Sequence, residues 1–77
     1  MTTSTIIPLD YLSEQSGRPD LLVEDLYRFQ SACIAVLVAD NADWHWRNAG
    51  PFALRLYVYR GPSAESVVEQ VLQGGAW

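Results

Sequence analysis

The chain has 77 residues, nearly half of them apolar, with nine acids against five bases, every base an arginine. That length supports one small domain, 1–77, near the lower limit for a core that holds itself together, and its longest apolar run, Ala32 to Ala39, is too short to span a bilayer. An acidic chain without lysine is poorly matched to phosphate backbones, where cationic side chains supply most of the affinity, so direct binding of nucleic acid is not expected.

The opening MTTSTIIP lacks the basic start of a secretory signal. The lone Cys33 excludes an internal disulfide framework, and both features suit a reducing cytoplasm. Pro8 stands where a helix tolerates proline, so PLDYLSEQS predicts a first helix, ended by Gly17 in a left-handed conformation. Pro19 opens a second helix with Asp20 in its first turn. Leu22, Leu26 and Phe29 recur at helical spacing as its buried stripe, and Asp20, Glu24 and Arg28 form the solvated one. The run ACIAVLVA, Ala32 to Ala39, admits two readings. It can extend the helix, since Phe29, Cys33, Val36 and Leu37 continue the stripe. It can also be a short buried strand ending at the turn-prone DNAD, and the strand is preferred because the strands that follow need a partner.

DWHWR and FALRLYVYR, separated by the turn cluster Asn48 to Pro51, read as a hairpin. Strict alternation in the second arm puts Phe52, Leu54, Leu56 and Val58 on one face and Arg55, Tyr57 and Tyr59 on the other. Ser63 then caps a last helix whose apolar face is Ala64, Val67, Val68, Val71 and Leu72, with Glu65 and Glu69 pointing away and Gly74 and Gly75 ending it. The expected fold is therefore α+β in the order ααβββα: two helices, a three-stranded antiparallel sheet and a C-terminal helix, with the helices on one face of the sheet.

The segment ADNADWHWRNAGP holds the only histidine, two tryptophans, two aspartates and an arginine. Neighbours on a strand point to opposite faces, so Trp44 and Trp46 share one side and His45 and Arg47 the other. At least one of the tryptophans is expected to cover the core or a sheet face, with His45 exposed beside Arg47. Catalytic inventories fail on residue types. Cys33 lies in an apolar run where a thiol is inert packing. One histidine and one cysteine do not furnish the three or four converging ligands of a metal site, and DNAD lacks the glycine and glutamate of a calcium loop. No cofactor, metal or catalytic residue is expected.

Binding is the better-supported class. Met1 to Asp43 carries seven acids against two arginines, whereas Trp44 to Trp77 carries two acids against three arginines. Asp10, Glu14, Asp20, Glu24, Asp25, Asp40 and Asp43 can present carboxylates to a basic groove meant for nucleic acid. An uncovered sheet face bearing Tyr57 and Tyr59, beside Trp44, supplies the residue types that dominate protein interfaces. Such a face can also stack single-stranded bases, although the strand order and the net charge oppose that use.

Taken together, the short chain, the acidic helices LDYLSEQ and PDLLVEDLY, and the compact α+β pattern without an enzymatic motif resemble the small acidic inhibitors that phages use against host defence, the anti-CRISPR proteins. That group shares no common signature, so no functional residue transfers from it. The resemblance implies stoichiometric binding to a CRISPR surveillance complex in the bacterial cytoplasm, by a monomer or homodimer, with target-DNA recognition or nuclease recruitment blocked. The alternative is a homodimeric accessory or antitoxin-like protein acting through its aromatic sheet face.

Overall fold

A computed structural model describes residues 1–77 and begins with a strand, not a helix. The elements are β1 (Thr3–Pro8), α1 (Leu9–Ser16), α2 (Val23–Ala39), β2 (Asp43–Asn48), β3 (Ala53–Arg60) and α3 (Ala64–Gly74). The α+β class and the three-stranded antiparallel sheet are as expected, but the order is βααββα instead of ααβββα. The third strand comes from the N-terminus, and β3 lies in the centre of a sheet ordered β1-β3-β2.

Ala32 to Ala39 is the second half of α2, which corrects the expected strand. Two causes act together. Leu26, Phe29, Cys33 and Leu37, all buried, keep one helical face continuous from end to end. No glycine or proline interrupts Val23 to Ala39, and Ala32, Ala35 and Ala39 are strong helix formers. The sheet does not need this segment, because β1 pairs with β3 along its whole length, from Thr3 opposite Val58 to Pro8 opposite Ala53. In β1 the β-branched Thr3, Thr5, Ile6 and Ile7 fit a pleated surface, and Ile7 is fully buried.

Helix ends follow local chemistry. Gly17 closes α1 at φ 68°, as expected. The start of α2 is Val23, later than Pro19, because Asp25 forms the cap: its carboxylate accepts the Leu22 N–H at 2.8 Å, and its own N–H donates to the Leu22 carbonyl at 2.9 Å. Leu22 therefore lies outside the helix, 63% exposed, and drops out of the buried stripe. Phe52 likewise precedes β3 in the hairpin turn and is exposed, so the inner face of β3 is Leu54, Leu56 and Val58. Ser63 caps α3 by accepting the Ser66 N–H at 3.1 Å.

All three helices pack on one side of the sheet, enclosing a cluster that includes Ile7, Leu12, Phe29, Cys33, Leu37, Leu56 and Val67. Two long-range ties hold the periphery. The Thr3 hydroxyl accepts the buried Ala64 N–H at 2.9 Å, so the first strand satisfies an open donor at the start of the last helix. Trp77 sets its ring edge-on to Phe29, with centroids 5.0 Å apart, and lies under the Arg18 guanidinium at 4.9 Å. Gly61, at φ 127°, presses the β3–α3 turn against the α2–β2 turn, where any Cβ would come within 2.7 Å of the Ala42 methyl.

Candidate functional site

The candidate residues fall on three separate parts of the molecule. Asp10 and Glu14 lie one turn apart on α1, Asp20 is in the loop that follows, and Glu24 is in the first turn of α2; all four are exposed. None of the four takes part in an ion pair. Asp25 belongs to the same region but is already occupied. Besides capping α2, it stands 3.8 Å from Arg18 and 3.7 Å from Arg28, and its side chain is only 14% exposed. Its single charge is shared between Arg18 and Arg28 and organises the α1–α2 loop.

Asp40 and Asp43 sit at the far end of α2, roughly 24 Å from Glu24 at 1.5 Å per helical residue. Asp40 follows the last turn of the helix, and Asp43 opens β2, paired with Arg60 at 3.2 Å. The exposed face of α2 between these ends carries Tyr27, Arg28, Ser31, Ala35 and Val38, none of them acidic. Asp10, Glu14, Asp20 and Glu24 thus follow one another along α1, the loop after it and the first turn of α2, whereas Asp40 and Asp43 lie at the opposite end of α2.

The outer face of the sheet is the third part. Register aligns Ser4, Tyr57 and His45 in one row and Ile6, Arg55 and Arg47 in the next. The Tyr57 and Tyr59 rings are nearly parallel with centroids 6.5 Å apart, His45 lies 6.4 Å from Tyr57, and the Arg47 guanidinium is 6.0 Å from the Tyr57 ring. No helix covers them. Trp44 is not with them: it stands opposite Val58 and packs, as Trp46 does, against the core on the helix side. The alternation expected of DWHWR is what separates these tryptophans from His45 and Arg47.

Sequence reasoning overlooked a groove beside β1. It is about 370 Å³ and is lined by Thr5, Ile6, Pro8, Tyr11, Glu65, Val68 and Glu69. Glu65 and Glu69 were legible as an exposed pair on α3, but their neighbour β1 was not, so nothing marked them as one wall of a groove.

Cys33 is fully buried among apolar side chains, which pushes its thiol up to about 12, so it holds its proton at neutral pH. It is on the helix side of the sheet, whereas His45 is on the outer face, so the two cannot act as a nucleophile and its base. Comparison with family models, with characterised proteins and with solved structures found no match. No helix is long and apolar enough to cross a membrane.

Proposed function

We propose that this protein is a non-enzymatic inhibitor that sets its acidic helical side against a basic, nucleic-acid-handling surface and keeps nucleic acid from it, as an anti-CRISPR protein does to a surveillance complex. The observation that carries this reading is the set of four exposed, unpaired carboxylates, Asp10, Glu14, Asp20 and Glu24, while Arg18 and Arg28 pair with Asp25. Asp10 and Glu24 add the modest stabilisation of an acid in the first turn of a helix, and all four carboxylates steer and orient a cationic partner. The absence of acids from α2 between Asp25 and Asp40 limits the imitation of a phosphate array to the end of the molecule where α1 meets α2.

Gel filtration with purified CRISPR surveillance complexes, with and without prior loading of target DNA, tests the reading. Co-elution is expected only with the unloaded complex. Reversing Asp20 and Glu24 to lysine is expected to weaken that association about tenfold or more while the chain keeps a cooperative melt, lowered by the several degrees that a cation in the first turn of α2 costs. Asp25 is left intact, because its loss would unmake the start of α2. Co-elution regardless of DNA would move the contact elsewhere, and none with any complex would remove the proposal. A dimer-sized elution of the chain alone, split by Tyr59→Lys, would support instead an accessory protein that self-associates through the uncovered tyrosine stack.

A further inference from the structure

The sheet order β1-β3-β2 leaves two edges, and they are not equivalent. The β2 edge carries Asp43, Arg47 and an irregularity between Asp43 and Trp44, all of which discourage another strand. The β1 edge, TSTIIP, has no charge and no irregularity, and its only guard is Pro8 at the end. Its hydrogen-bond phase follows from the next step of the register. The Leu9 N–H donates to the Phe52 carbonyl at 2.8 Å, so Ile7, Thr5 and Thr3 exchange bonds with Leu54, Leu56 and Val58. By the same alternation, the N–H and C=O groups of Ser4 and Ile6 point outward, away from β3.

Those free groups open onto the groove between β1 and α3. The helix runs alongside the strand: Ala64 is bonded to Thr3 at one end, and Glu69 lines the groove with Pro8 and Tyr11 at the other. A second depression, lined by Tyr11, Gln15, Glu69, Leu72 and Gln73, shares Tyr11 and Glu69 with the first and prolongs it along α1 and α3. Neither has a basic residue in its lining. Glu65 and Glu69 are separated by about 6 Å of helix rise, close to the ~6.7 Å between alternate side chains of a strand.

We propose that β1 and α3 form a docking groove for an extended basic peptide segment of a partner protein, which adds to the sheet as a fourth strand beside β1. Ser4 and Ile6 supply the main-chain bonds, and Glu65 and Glu69 receive successive lysine or arginine side chains from alternate positions of the incoming strand. A second copy of this chain is a poorer occupant, because two β1 edges in contact would bring both Glu65–Glu69 pairs together without a base between them. The surface is separate from Asp20 and Glu24 and does not depend on what they bind.

Fluorescence anisotropy with a short labelled peptide that alternates lysine with threonine tests the groove, with a glutamine-for-lysine peptide as control. The lysine peptide should bind, with salt weakening it, and should shift the amide resonances of Ser4 and Ile6. Ile6→Pro removes an outward N–H without touching the β1–β3 ladder and should weaken binding about fivefold to tenfold, as should Glu65→Gln with Glu69→Gln. The glutamine pair replaces only exposed side chains, so it carries the test even if the proline variant does not fold. Asp20→Lys with Glu24→Lys should leave the peptide affinity unchanged. Absence of binding, equal binding of the control peptide, or indifference to the glutamine pair would each overturn the proposal.

Discussion

Burial fixes the behaviour of Cys33 more firmly than any neighbour does. Its thiol keeps its proton to about pH 12 in the folded chain, while an exposed thiol ionises near the ordinary 9.0. The folded-state value is the raised one, so the thiol's contribution to stability is complete below pH 9.0 and is lost as pH rises toward 12. Urea unfolding across that window should show stability falling more steeply for the parent chain than for Cys33→Ala, which has no group to ionise there. Equal slopes would mean that the thiol is not shielded. That Cys33 would be packed was legible from the apolar residues around it. The double task of Asp25 was not, because a cap at Leu22 and two arginines become its partners only once the loop before α2 is shaped. Trp44 shows the same limit. Its alternation with His45 was readable, but its separation from Tyr57 depends on which face of β3 meets the helices.

Among the elements, α3 and the β2–β3 hairpin were readable because their signals are local: a serine cap, a helical apolar face, a strict two-residue alternation and a short turn between strands. β1 was not. Six residues with two aliphatic side chains make a weak strand signal, and Pro8 drew attention to the helix it begins. Its partner β3 lies far along the chain, so no local pattern announces the pairing. Without β1 the hairpin lacks a third strand, and Ala32 to Ala39 can supply it only against its own helical periodicity. The tie between Thr3 and Ala64 belongs to this scale, since it joins the start of α3 to β1. Thr3→Val keeps the shape and β-propensity but leaves the buried Ala64 N–H without an acceptor. The expected cost is about 1–2 kcal/mol in chemical denaturation, with the secondary structure unchanged. A loss well below that would mean that water replaces the hydroxyl.

For the whole molecule, the helical side carries the free carboxylates and the sheet side carries Arg47, Arg55, Tyr57 and Tyr59, so opposite surfaces differ in charge as well as in shape. The division follows from chain order only in part. The acidic first half of the sequence builds α1 and α2, but it also supplies β1, which joins the basic half in the sheet. Deleting Met1 to Pro8 should therefore do more than trim an end. It removes the buried Ile7, the Thr3 bond to α3 and one side of the β3 ladder, leaving two strands that are marginal alone. Circular dichroism should show loss of the cooperative melt while some α2 helicity remains. A cooperative melt in the shortened chain would show that the other five elements suffice.

The pairing of β1 with β3 also sets an order in time. During synthesis β1 leaves the ribosome first, followed by two helices to which it makes no ladder, and β3 emerges only after them. At ordinary rates of elongation the delay is several seconds, long compared with the microseconds in which α2 can form. Throughout that interval an uncharged, β-branched segment has both of its edges open. The first strand to be made must wait for one of the last segments before it can be paired.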